Sequence, residues 1–286
     1  MSSSSHNPSA APSLASAPNA AAAPNAASAL NATTATSLPD APRLRIVHLY
    51  PREMNIYGDH GNVEAVAQRC RWRGIEPEVI GYHIGAEFPA EADIILGGGG
   101  QDSGQGAVQA DLPRIRDQLA NLIASGAPTL VICGTYQLFG NYFKTIGGEM
   151  IAGLGIFDLH TVGGERRMIG NIVTESEEFG EIVGYENHSG ITRLAAGWQP
   201  LGRVLQGDGN NGEDGGEGVR LHNAIGTYLH GPLLPKNPRI TDFLISKAIE
   251  RRYGLDAATA TGLLPLSTLD DTLAEQARAI AKTRPR

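Results

Sequence analysis

Between Leu44 and Gly254, short apolar runs alternate with segments whose apolar residues recur every three or four positions. LRIVHL (44–49) predicts a short buried strand. DHGNVEAVAQRCRWRG (59–74) predicts a helix, with Val63, Val66 and Cys70 on one face, Asp59 placed to cap its start and Gly74 to end it. On that face Cys70 reads as a small core residue. PEVIGY (77–82) and ADIILGGGG (92–100) predict two more strands, the second running into four glycines. Leu112, Ile115, Leu119, Leu122 and Ile123 form one stripe of a helix over 107–125, closed by Gly126. PTLVICG (128–134) is a further apolar strand, and it ends on Cys133. Repeated strand–helix units with short loops predict a mostly parallel central sheet with helices on both faces. In such sheets, sites gather at the carboxyl ends of the strands.

Past residue 150 the pattern changes to short strands and many turns: GLGIFDLH, IGNIVT, EIVGYENHSG, GRVLQ and IGTYLHG. The intervening GDGNNGEDGGEG (207–218) reads as a mobile surface turn whose acids are free to meet a partner. PRITDFLISKAIERRYG (238–254) is an amphipathic helix ended by Gly254. LDDTLAEQARAIAKTR (269–284) places acids first and bases last, as a helix dipole prefers. The expected division is a low-complexity tail (1–42), an α/β domain (43–255) and a C-terminal helical extension (256–286).

Composition narrows the classes. Residues 1–42 are Ala, Ser, Pro and Asn with almost no large apolar side chain and no Lys or Arg, so a disordered tail is expected. That segment lacks the basic and apolar regions of a secretory signal. No uninterrupted apolar run approaches the length of a membrane span, and a cytoplasmic protein is expected. A net charge of −7 without a basic stripe argues against nucleic acid as the main partner. The two cysteines, Cys70 and Cys133, form no CxxC pair. His48, His60, His83, His160 and His222 show no metal-ligand spacing, so no metal is expected. Neither a P-loop nor a GxGxxG opening a helix is present.

Cys133 raises the reading above a generic α/β domain. A cysteine at the end of a buried strand, with Gly134 and a helix start directly after it, stands where an elbow exposes sulfur near a helix N-terminus. That setting favours the thiolate, the actual nucleophile. The alternative is a buried core cysteine. Gly97 to Gly100 end the neighbouring strand and can bring bare N–H groups, with that of Gly134, to a developing oxyanion; the alternative is a flexible loop. His230 ends the strand TYLH and is a candidate base, yet Gly231 and Pro232 come next and no carboxylate lies nearby in sequence. Arg166 and Arg167 by themselves read as exposed loop charges. His188 in YENHSG is a rival base or a residue making local hydrogen bonds.

Ordered stretches carry a resemblance: LYPREMNIYGDHGN, GGGQD, ICGTYQLFG, RMIGNIV, GYENHSG and GTYLHGPLLPKNP. Over about 44–254 the chain resembles the class I glutamine amidotransferases of the cobyric-acid-synthase-like branch. Within that branch it is similar to glutaminase subunits that pair with a Mur-ligase-like protein, MurT, to amidate the peptide stem of lipid II. The resemblance implies a flavodoxin-like fold and hydrolysis of L-glutamine through a Cys133 thioester, with His230 moving the protons. It implies an oxyanion hole from Gly99 or Gly100 with Gly134, Arg167 on the α-carboxylate of glutamine, and Gln137, Asn187 and His188 at the glutamine pocket. It also implies a heterodimer at the inner face of the membrane, with ATP and Mg on the partner ligase and no cofactor in this chain. Since Pro232 stands where most class I enzymes carry an acid, the resemblance implies that the partner supplies the third catalytic acid.

Two departures bear on detail. Val131 and Thr135 replace the glycines of GxCxG, and a threonine cannot readily adopt positive φ, so the elbow is either unstrained at 135 or stores a cost there. Ser103, Gly104 and Gln105 come after GGGQD where relatives often carry Arg-Glu-Gln, which predicts a more mobile segment without firm pocket contacts. Two other readings stay open: an amidotransferase component for another carboxylate, such as a corrinoid precursor, and a degenerate amidotransferase domain kept as a binding module.

Overall fold

The computed structural model describes residues 41–100 and 102–284, so residues 1–40 of the low-complexity segment lie outside the described residues. Strands β1 (Arg43–Leu49), β2 (Glu76–Tyr82), β3 (Ile94–Gly97) and β4 (Thr129–Ile132) form the sequence-predicted parallel sheet. β11 (Val219–Leu221) and β12 (Ala224–Thr227) complete it in the order β11-β12-β4-β3-β1-β2, with only β11 antiparallel. β3, β4 and β12 are buried at every position, as central parallel strands covered on both faces must be.

The connection from β1 to β2 runs one way across the sheet through α1 (His60–Arg71). The connection from β3 to β4 runs the other way through α2 (Asp102–Gln109) and α3 (Arg116–Ala124). Right-handed crossovers therefore place these helices on opposite faces. The helix expected over 107–125 is divided. Pro113 has no N–H to continue a helical ladder, and Leu112–Ile115 form a 3₁₀ turn between α2 and α3.

The expected short strands beyond residue 150 merge into a long hairpin of β7 (Leu159–Ser176) and β8 (Gly180–Leu194). Its register shifts between Gly163 and Met168, and this irregularity carries Arg167. β7 joins a second sheet with β5 (Tyr142–Lys144), β6 (Met150–Ala152), β9 (Gly202–Gln206) and β10 (Gly216–Glu217).

Residues 207–218 are not the free surface turn expected. Buried Glu186 accepts hydrogen bonds from the N–H groups of Asp208 and Gly209. Asn210 bonds both backbone groups of Gly218, and buried Glu217 accepts from Thr227 Oγ1 and Tyr228 N. A glycine-rich loop can wrap a buried carboxylate in this way because bare backbone supplies the donors.

After the short α5 (Leu233–Lys236), α6 (Pro238–Tyr253) covers the sheet beside α1 and leads into α7 (Leu255–Ala260) and α8 (Thr272–Thr283). α8 rests on this chain's own hairpin, with Lys282 Nζ donating to Glu181 at 2.7 Å. Arg69 of α1 binds both Asp242 of α6 and Asp271 at the start of α8. Among the described residues, no helix is long and apolar enough to cross a membrane.

Candidate active site

β12, β4, β3 and β1 are consecutive neighbours, so their carboxyl ends open on one edge of the sheet. The site residues lie just beyond those ends: His230 after β12, Cys133 after β4, the glycines 98–100 after β3, and the 50–59 loop after β1.

At the end of β4 the chain turns sharply. Cys133 has φ 49° and ψ −106°, a conformation that costs a non-glycine residue on the order of 1–3 kcal/mol. Its N–H donates to Thr227 O at 2.9 Å, and its carbonyl accepts from Gln137 N as α4 (Gly134–Phe139) begins. The strain thus lies at the nucleophile and not at Thr135. Thr135 is buried within α4 and donates from Oγ1 to Gly98 O at 2.6 Å. Its methyl fills the space over Gly97, where a Cβ would lie 2.7 Å from Thr135 Cγ2.

His230 is completely buried, and its backbone pairs with Tyr185. Its Nδ1 lies 3.2 Å from Asp59 Oδ2, with both side chains shielded from solvent. An acid of this chain thus stands beside His230, which the reading along the sequence did not foresee. Asp59 stands at the start of α1 but makes no capping bond; Oδ2 faces His230 and accepts the Gly99 N–H at 2.7 Å instead. Pro232, at the position of the missing acid, wedges against α1, since a Cβ on Gly61 would lie 2.5 Å from Pro232 Cγ. Among the described residues, His230 Nε2 has no hydrogen-bond partner. Burial opposes charge on this imidazole, but the Cys133 sulfur and then Asp59 outweigh it and push His230 up to about 10. That combination readies the ring to take and hold a proton from the sulfur.

Of the glycines expected at the oxyanion, Gly99 donates its N–H to Asp59. Gly100 and Gly134 remain together: a Cβ on Gly134 would lie 3.1 Å from Gly100 N and 3.0 Å from Met54 Cε. Buried Met54 forms the wall behind both glycines, and only residues without side chains fit there.

Cys133 opens into a cavity of about 370 Å³ that also meets Gly100, Arg167, Asn187 and His188. At the mouth, Arg167 donates from Nε to Asn187 Oδ1 at 2.6 Å and from Nη2 to the Tyr57 hydroxyl at 3.2 Å. These two bonds hold the guanidinium on one side, and its remaining N–H groups are of the kind that suits a carboxylate. Gln137 donates to Tyr228 OH at 2.9 Å and accepts from Gln105 Nε2 at 2.6 Å. Gln105 is buried in the cavity wall, so a pocket contact does come from the position where none was expected. His188 stacks flat on Tyr228 at 3.5 Å, and its Nδ1 meets Gly190 O at 3.0 Å. Burial, the largest influence, holds His188 down to about 3, which makes it a weak proton acceptor, and its Nδ1 is engaged by Gly190 O.

The structure thus gathers Cys133, Gly100, Arg167, Gln137, Asn187 and His188 around one cavity, with His230 beside Cys133 and Gly134 beside Gly100. Asp59, Tyr57 and Gln105 were not foreseen in these roles. The signal for the first two was the acid-bearing stretch YGDHGN shortly after β1, at the reactive edge of the sheet. Among the described residues no cluster of His, Cys, Asp and Glu could hold a metal ion.

The sequence matches the CobB/CobQ-like glutamine amidotransferase domain over residues 45–238. It is 44% identical over 211 residues to the GatD subunit of lipid II isoglutaminyl synthase (glutamine-hydrolyzing) of Staphylococcus aureus strain N315, covering 73% of this chain and 86% of that one. The corresponding subunit of Streptococcus pneumoniae strain R6 is 38% identical over 217 residues, covering 75% and 84%. A probable cobyric acid synthase of Methanocaldococcus jannaschii is 30% identical over 180 residues, but only 35% of that longer protein is covered. The chain belongs to the CobB/CobQ-like glutamine amidotransferase family.

Proposed function

We propose that this member of the family is the glutaminase subunit of a lipid II isoglutaminyl synthase, passing ammonia to a MurT-type ATP-dependent ligase. The observation that carries the chemistry is the convergence of Cys133, His230 and Asp59 beside the Gly100 and Gly134 amides. The Cys133 sulfur, its proton taken by His230, attacks the side-chain carbonyl carbon of glutamine. The oxyanion that forms accepts from Gly100 N–H and Gly134 N–H, each donor contributing about 3–4 kcal/mol in sites of this kind. The C–N bond then breaks as His230 returns the proton to nitrogen, leaving a γ-glutamyl thioester and ammonia. Water, deprotonated by the same imidazole, hydrolyses the thioester to glutamate and restores the thiol. Asp59 keeps the Nδ1 proton in place and balances the imidazolium. Arg167 binds the α-carboxylate of the substrate.

Relatives named as subunits of lipid II isoglutaminyl synthase, matched over most of their length, support the acceptor: the D-glutamate α-carboxylate of the stem peptide, bound on the partner. Ammonia released into water near neutral pH is protonated and no longer nucleophilic, which favours a docked ligase. The match to cobyric acid synthases favours, as a second reading, a corrinoid carboxylate as acceptor, but over a smaller part of the chain.

Ammonia release from glutamine by the purified chain, alone and with the candidate Mur-ligase-like partner, tests the proposal. Cys133→Ala should abolish release; activity retained in that variant would overturn the assignment. Amidation of lipid II only when both chains are present separates the two acceptors.

A further inference from the structure

We propose that Tyr57 couples glutamine capture to the general base, its hydroxyl setting the Arg167 clamp while its ring roofs His230; the inference rests on the glutaminase reading. Tyr57 lies in the loop between β1 and α1, just before Gly58, whose φ of 74° turns the chain toward Asp59. Its ring centroid is 4.4 Å from that of His230, tilted by 57°. Its hydroxyl accepts from Arg167 Nη2 at 3.2 Å, and the side chain forms part of the cavity wall between Cys133 and Arg167. One side chain therefore touches both ends of the space that a glutamine must span.

The loop does not need this side chain to hold its course. Ile56 N donates to Gly99 O at 3.1 Å, and Asn55 Oδ1 accepts from His60 N at 2.8 Å, so backbone and Asn55 anchor it on both sides of residue 57. What the side chain adds is at the site. With Asn187 holding Nε, the Tyr57 hydroxyl supplies the second point that fixes the plane of the guanidinium. A guanidinium held at one point swings, and its two carboxylate-facing N–H groups lose their common direction. The ring packs against His230, and water taking its place would screen the attraction between the imidazole and the Cys133 sulfur.

The two contributions separate by substitution. In ammonia release from glutamine, Tyr57→Phe should raise KM about three- to tenfold, the loss of one hydrogen bond to a partly exposed charged group, with kcat within about twofold. Tyr57→Ala should show the same KM change and lower kcat by about tenfold or more. Alkylation of Cys133 by iodoacetamide between pH 6 and 9, read by peptide mass so that Cys70 is distinguished, reports the ring without turnover. Tyr57→Phe should match the wild-type profile, and Tyr57→Ala should lose rate at the acid end. An unchanged KM in Tyr57→Phe, or a wild-type alkylation profile in Tyr57→Ala, would overturn the proposal. Absence of ammonia release from the wild-type protein would instead count against the glutaminase reading, and the alkylation profiles would still decide whether the ring protects the Cys133–His230 pair.

Discussion

Asp59 and His230, separated by 171 residues, meet at 3.2 Å with neither side chain exposed. Asp59 arrives from the loop after β1 and His230 from the end of β12. The same carboxylate oxygen takes the Gly99 N–H, so it fixes both the imidazole and the segment that carries the oxyanion donor. Asp59→Asn should therefore lower kcat/KM for ammonia release by about 10²- to 10⁴-fold, through loss of the Nδ1–H acceptor charge. The loss should persist in the presence of any partner ligase. Restoration of wild-type rates by the partner would show that a second acid reaches His230.

Thr135 stands where class I glutamine amidotransferases usually carry glycine, and its hydroxyl satisfies the carbonyl of Gly98. Thr135→Val keeps the shape and leaves that carbonyl without a donor. Denaturant unfolding should show a loss of about 1–3 kcal/mol, and kcat should fall because the peptide before Gly99 is no longer held.

Arg167→Lys retains charge but cannot present two parallel N–H groups. Glutamine KM should rise about tenfold or more, with kcat changed far less. A fall in kcat alone, at unchanged KM, would move Arg167 from the substrate carboxylate to the chemical step.

Burial pushes the Glu217 carboxyl up to about 8, even though Tyr228 N and Thr227 donate to it. In the unfolded chain the same group ionises near 4.5. Between these values the folded state retains a proton that the unfolded state has lost, so stability falls as pH rises. Glu217→Gln keeps both hydrogen bonds and removes the proton. Its melting temperature relative to wild type should therefore climb from pH 5 to pH 8, and a constant difference would refute the assignment.

Burial acts in the opposite direction on the acid side. It holds His48 down to about 4 and His188 down to about 3, against 6.5 in the unfolded chain. Below pH 6.5 the unfolded chain gains protons that the folded one refuses, so stability falls as pH drops toward 4. Calorimetry across that window should show a shallower fall for His188→Gln than for wild type.

Much of this architecture is local. The apolar runs at 44–49, 94–97 and 129–132 and the stripe Val63, Val66, Cys70 are short-range periodicities, and they predict the parallel strands and α1. Pro113 shows where a periodic stripe fails: side-chain spacing continued through 107–125, but the missing N–H divided the helix. The 207–218 loop failed for a different reason. Its polar residues looked solvent-bound, yet buried Glu186 takes its donors from that stretch, and Glu217 within it turns inward to Thr227 and Tyr228.

The positions of Cys133 and His230 were legible because each stands just past a strand, next to glycine, where the local backbone brings it to the sheet edge. The acid beside His230 was not, because the search for one ran along the chain and stopped at Pro232. Strand order alone brings β1 to the same edge as β12, and with it Asp59 and Tyr57. The sequence by itself determined the strands, the turn at Cys133 and the placing of Cys133 and His230 just past strand ends, since these arise from nearest-neighbour sterics and periodicity. The tertiary structure decided which carboxylate lies beside the histidine, which glycine N–H that carboxylate takes and which side chains line the cavity. Those depend on contacts between residues far apart in the chain, which only packing brings together.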